Sequence, residues 1–203
     1  MRPRAIVAGV AGATLVIALM TGASLYFAGA FGGGSGYRSL IGGPFSMATH
    51  DGRRFSERDL AGKPFAIFFG FTQCPDVCPT TMLEVANLME KLGPDADKMR
   101  FLFVTVDPER DTAELLKDYL ASFDKRIVGL VGTAEETAAI VRAYRVYYAR
   151  VPTKESYTIN HTATMFLMDA QGRLAKTIAF GEDESTRLKK VRDVIAAGNG
   201  GAG

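Results

Sequence analysis

Two apolar rhythms alternate along this chain, after an opening block that has neither. From Ala5 to Phe31 the sequence runs 27 residues without a charge. As a helix that stretch can cross a hydrocarbon core of about 30 Å, which takes roughly 20 apolar residues. Further on, short near-continuous apolar runs alternate with stretches in which apolar residues recur every three or four positions. Phe65–Phe71 (FAIFFGF) reads as a strand buried on both faces. Thr80–Leu92 places Met82, Val85, Leu88, Met89 and Leu92 on one helical stripe. Arg100–Val106 is a second buried strand, ending at Asp107-Pro108. A helix over Asp111–Phe123 is expected to open on Asp111 as N-cap and to bury Leu115, Leu116, Tyr119, Leu120 and Phe123.

Ile127–Val131 is a short third strand, and Thr133-Ala134-Glu135-Glu136 is a capping-box pattern that opens a helix running to about Arg145. Thr164–Met168 and Leu174–Ala179 bracket the turn Asp169-Ala170-Gln171-Gly172 and predict a hairpin. A last amphipathic helix spans about Glu184–Ala197, with Gly198 as its C-cap. Ahead of this core, Pro44–Leu60 holds short strand-and-turn material around Asp51-Gly52. Crossovers followed by a hairpin and a final helix make an α/β sandwich with a mixed sheet. The expected organisation is an anchor at 1–31, a flexible Gly-rich tether at 32–41, one domain at 42–198 and a frayed tail at 199–203.

Charge decides the orientation of the first block. Arg2 and Arg4 are the only charged residues before Arg38, so the positive-inside rule leaves the amino terminus in the cytoplasm. The competing reading, a cleaved signal peptide helped by Ala28-Gly29-Ala30, meets an apolar run nearly twice the usual length of about 7–15 residues. A single-pass protein of a bacterial inner membrane, with its domain in the periplasm, is expected. The 24 Lys and Arg against 22 Asp and Glu leave that domain formally neutral once the two arginines of the anchor are set aside. A neutral domain has no electrostatic footprint for nucleic acid.

Candidate chemistry is scarce: two cysteines, two histidines and no tryptophan. Cys74 and Cys78 lie in FGFTQCPDVCPTT, between a buried strand and a helix, at the kind of strand end where open α/β sheets bind ligands. Pro79 suits the first helical position, which puts Cys78 at or near the N-cap, where the helix dipole favours a thiolate. A structural disulfide, thiol–disulfide exchange and metal binding all fit such a pair. A third ligand is offered by His161, in YTINHTAT just before the hairpin strand. The loop entering that strand is expected to pack beside the loop leaving the first central strand. His50, in the turn Thr49-His50-Asp51-Gly52, has no such argument and is read as a surface residue. Two thiolates and one imidazole fall short of the four protein ligands of structural zinc, whereas copper accepts low coordination and prefers thiolate.

FGFTQCPDVCPTT, then VTVDPERDT and NHTATMFLMD, together with IGGPFSMATHDG and AYRVYYARV, resemble the Sco (SenC) family of cytochrome oxidase assembly proteins. The resemblance covers essentially the whole domain. It implies a thioredoxin-like fold, a single membrane anchor and a copper ion held by Cys74, Cys78 and His161, with Asp107 in a supporting role around the site. It further implies action on the dinuclear copper A centre of cytochrome c oxidase subunit II. Delivery of copper, and maintenance of the target's thiols by a redox-active Cys74–Cys78 pair, both use the same residues; each needs a periplasmic partner, a copper donor or a thiol reductase. A thiol peroxidase or a copper or redox sensor on the same fold is the alternative.

Overall fold

A computed structural model describes residues 40–199 of the 203. The expected membrane anchor at 1–31 lies outside the described residues, as do most of the tether and of the tail. Among the described residues no helix is long and apolar enough to cross a membrane.

The element order is β1 (Ser46–Thr49), β2 (Arg54–Ser56), a 3-10 turn (Glu57–Leu60), β3 (Phe65–Gly70), α1 (Val77–Leu92), a second 3-10 turn (Gly93–Lys98), β4 (Arg100–Thr105), α2 (Ala113–Leu120), β5 (Ile127–Val131), α3 (Ala134–Ala143), β6 (Tyr148–Pro152), β7 (Tyr157–His161), β8 (Thr164–Met168), β9 (Leu174–Ala179) and α4 (Glu184–Asn199). Seven strands form one mixed sheet in the order β2-β1-β5-β4-β3-β8-β9. The central strands β3, β4 and β5 are parallel, joined by crossover connections through α1 and α2. β8 returns antiparallel beside β3, and β6 and β7 make a separate two-stranded ribbon.

The double burial expected of the central strand is complete, with every residue of β3 inside the core. Helix α1 buries all five residues of its predicted stripe. At about 1.5–3 kcal/mol for each large apolar side chain removed from water, that stripe is the helix's main tie to the sheet. The capping box of α3 forms as expected, with the Thr133 hydroxyl accepting from the Glu136 N–H and the Glu136 carboxylate accepting from the Thr133 N–H.

Several expectations are corrected. Thr112, not Asp111, caps α2, its hydroxyl accepting the Leu115 N–H. Leu115 lies on the outer face of that helix, 47% exposed, because Leu116 and Leu120 are the residues turned to the sheet. Gly198 lies within α4 rather than after it. β6 and β7 have no counterpart in the periodicity, since YARVP and YTINH alternate too weakly to announce strands. His50 is not a free surface residue: its Nδ1 accepts the Gly129 N–H at 2.9 Å, which ties the β1–β2 turn to β5.

Candidate metal centre

The site grows out of the topology. Gly70 and Thr105 end β3 and β4 side by side. Because β8 runs antiparallel to β3, pairing Ile67 with Phe166 and Phe65 with Met168, its first residues lie at the end where β3 finishes. The loop from Phe71 to Asp76 and the segment His161-Thr162-Ala163 therefore meet over the same edge of the sheet, as the sequence reading expects.

There the ligand atoms of Cys74, Cys78 and His161 lie within 4.8 Å of one another, and the three could hold a metal ion. The Cys78 sulfur is 3.4 Å from His161 Nε2. His161 Nδ1 lies 3.1 Å from the Thr162 carbonyl, an acceptor, which assigns the ring proton to Nδ1 and leaves the Nε2 lone pair facing the sulfurs. The imidazole stands edge-on to Phe68 and Phe71, with ring centroids 6.1 and 5.9 Å away. Those rings exclude water from one side of the site. Both cysteines are free thiols, Cys78 buried and Cys74 partly accessible.

The helix opens earlier than expected, and this changes which sulfur it serves. Asp76 is the N-cap, so Cys78 is the second helical residue and Pro79 the third, still within the turn whose N–H groups have no intrahelical partner. Asp76 makes no side-chain cap bond. Instead the Cys78 N–H donates to the Cys74 sulfur at 3.4 Å, so the sulfur of Cys74 takes the place of a capping oxygen. The positive end of α1 thus acts on Cys74. The pKa of the Cys74 thiol is lowered to about 4, chiefly by the hydrogen bond from the Cys78 thiol, with the backbone N–H groups of Asp76 and Cys78 adding to it against burial. The same bond and burial push the Cys78 thiol far up. The pair gives up its first proton from Cys74 and retains the second on Cys78.

Two residues behind the ligands carry no signal in the periodicity. A Cβ on Gly70 would lie 2.9 Å from the Cys78 sulfur and 2.9 Å from two ring carbons of Phe103, so only glycine lets α1 bring that sulfur against β3. Asp111, expected at a helix cap, is buried and accepts from the Thr72 N–H (3.0 Å), the Thr72 hydroxyl (2.6 Å) and the Thr105 hydroxyl (2.5 Å). It fixes the cysteine loop two residues before Cys74. The Asp-Thr-Ala-Glu run at 111–114 reads equally well as a cap, which is why the pattern misassigns it.

Asp107 is fully buried, and its two oxygens go to the Arg110 guanidinium and to the Tyr157 hydroxyl (2.8 Å). It acts through the ribbon that carries His161. The phenol of Tyr119 is raised by burial and by the negative charge that Cys78, Cys74 and Asp111 can carry.

A mixed sheet of this order with a strand-end dithiol and an imidazole from the returning strand defines a thioredoxin-like metal-site protein. The SCO1/SenC family model matches residues 34–196, and the chain belongs to that family. The mitochondrial SCO1 homologue of Homo sapiens is 41% identical over 142 residues, covering 66% of this chain and 46% of that protein. A SCO2-like protein of Rickettsia prowazekii is 37% identical over 139 residues, covering 67% of this chain and 68% of its own. The match thus spans about half the length of the human relative. Among solved structures, copper-bound ScoI of Bradyrhizobium japonicum superimposes with a TM-score of 0.72 at 42% identity, over 76% of this chain and 99% of that one. Copper-bound yeast Sco1 gives 0.71 at 33% identity, over 77% and 89%.

Proposed function

We propose that this chain binds one copper ion through Cys74, Cys78 and His161 and passes it, by exchange of ligands, to the copper A centre of cytochrome c oxidase subunit II. The observation that carries the reading is the convergence of two sulfurs and an Nδ1-protonated imidazole within 4.8 Å. Thiolate is a preferred ligand of copper(I), and a mixed sulfur and imidazole set suits copper(II). Similarity to family members solved with copper bound supports the same choice of metal.

The chain's own residues supply what transfer needs. Cys74 is the accessible ligand and already sheds its proton easily, so it can be released to or taken from a partner without waiting for deprotonation. Cys78 and His161 are held from behind. The apolar run at 5–31 is long enough to anchor the domain at the periplasmic face of a bacterial inner membrane. A periplasmic donor loads it.

One observation favours a second use of the pair. A low-pKa accessible Cys74 beside a protonated buried Cys78 is the division of labour of a dithiol reductant. The Cys74 thiolate would attack a disulfide of the target, and the Cys78 thiol would resolve the mixed disulfide. The target leaves as a dithiol with two electrons gained, Cys74–Cys78 becomes the disulfide, and a thiol reductase restores it.

Copper titration of the full chain and of His161→Ala, with X-ray absorption to count ligands, tests the reading alongside oxidase maturation in cells lacking the protein. Two sulfurs and one nitrogen per copper, loss of the nitrogen in His161→Ala and loss of maturation are expected. Absence of stoichiometric copper refutes the copper site. Full maturation by His161→Ala refutes delivery and leaves the reductant reading, in which His161 is dispensable.

A further inference from the structure

We propose that Arg110 is the positioning residue of His161: with Asp107 and Tyr157 it clamps the β6–β7 ribbon to the end of the central sheet and so sets the imidazole over the two sulfurs. The proposal rests on the copper site described above.

The ribbon needs such a clamp. It stands outside the seven-stranded sheet, and a two-stranded ribbon by itself is only marginally stable in water. Apolar burial does little for it. None of the five residues of β6 is buried, and in β7 only Ile159 is. His161 is the last residue of this weakly held strand. The precision of the metal site therefore depends on whatever holds Tyr157–His161 in place.

Arg110 is the group that does. Its Nε donates to Asp107, whose other oxygen accepts the Tyr157 hydroxyl. Its Nη1 donates to the Tyr157 carbonyl at 2.9 Å, and its guanidinium carbon lies 3.8 Å from the centroid of the Tyr157 ring. Tyr157 is thus held by its backbone, its ring and its hydroxyl, four positions before His161. A second route is shorter. The same guanidinium carbon lies 5.8 Å from the centroid of the Phe71 ring, and Phe71 meets the His161 ring edge-on. Among the described residues the buried Nη2 of Arg110 has no hydrogen-bond partner, so the side chain is placed by the clamp and not by saturation of its own donors. A lysine has one point charge and no planar fork, and cannot serve Asp107, the carbonyl and the ring face together. The outer pair of Glu109 with Arg150 (2.7 Å) is exposed and screened by solvent, so it holds the ribbon only weakly.

The turn from 107 to 111 therefore ties both halves of the site, the cysteine loop through Asp111 and the histidine ribbon through Asp107 and Arg110. With the clamp loosened, the imidazole is in place for a smaller fraction of the time, and apparent affinity falls by that fraction.

The test compares the full chain with Arg110→Lys and with Tyr157→Phe, each in the parent and in the His161→Ala background. Copper(II) titration should be about tenfold weaker in Arg110→Lys, the low end of what a partner behind a metal ligand contributes. Tyr157→Phe, which removes only the hydroxyl and spares the fold, should weaken it in the same direction. Neither should change affinity by more than about twofold once His161 is alanine, since a positioning effect vanishes with the group positioned. Without copper, amide hydrogen exchange at Thr158–His161 should quicken while exchange in α1 and β3 stays as in the parent. Equal losses in both backgrounds, or no loss in either, overturn the clamp. An affinity unchanged by His161→Ala alone overturns the copper site instead, so the two failures are distinguishable.

Discussion

Gly70→Ala is the sharpest probe of how the fold makes the site. The added methyl would sit 2.9 Å from the Cys78 sulfur and from two ring carbons of Phe103. Comfortable non-bonded contacts lie at about 3.5–4.0 Å, so something must retreat by roughly 0.6–1 Å. Phe103 is fully buried in the middle of the sheet and has little room. Cys78, at the second position of a helix and facing the metal site, is the side that yields. Overpacking of this kind costs about 1–3 kcal/mol. The reduced freedom of the unfolded chain returns about 0.4–1 kcal/mol, so the net loss is about 1–2 kcal/mol. For a domain of this size that lowers Tm by roughly 2–8 °C. A sulfur displaced beyond the tolerance of about 0.5 Å for a preorganised site should also bind copper roughly tenfold more weakly. Calorimetry and copper titration of the same preparation read both effects. A variant melting within about 1 °C of the parent with an unchanged titration would refute the close-approach argument.

Asp111→Ala removes the acceptor of three hydrogen bonds at the cysteine loop, and it should cost about 3 kcal/mol in chemical denaturation, given about 1.5–3 kcal/mol for one bond to a charged group and the non-additivity of neighbours. Asp111→Asn should recover only part of this, because its amide nitrogen cannot accept. Cys74 should titrate as an acid of pKa about 4 when the copper-free protein is followed by thiolate absorbance. Its folded-state pKa is depressed, so the thiolate persists as pH falls from neutrality and is lost only near pH 4. Cys78→Ala, which removes the largest cause of the shift, should raise the midpoint of Cys74 by more than one unit; an unmoved midpoint contradicts the shared-proton description.

How much of this was legible beforehand follows from what each signal measures. Strands β3, β4 and β5 were readable because both faces are buried, which leaves near-continuous apolar runs. The capping box at Thr133 was readable because its partners are three residues apart. β6 and β7 were not, because they bury almost nothing. Asp111 was misread because a cap and a buried acceptor place the same residue type beside the same neighbours.

The residues themselves determined the chemistry: two cysteines with three residues between them, one histidine near the hairpin, and too few soft ligands for a closed zinc site. Their local order also determined the alternation of elements, and with it the mixed sheet. Only the tertiary structure decided which sulfur receives the helix N–H, why position 70 is glycine, and what holds His161. Those outcomes depend on distances between segments far apart in sequence, such as Gly70 to Phe103 and Arg110 to Tyr157. Periodicity describes one element's face at a time; the approach of two elements is set by packing and by buried charge, which exist only once the chain has closed on itself.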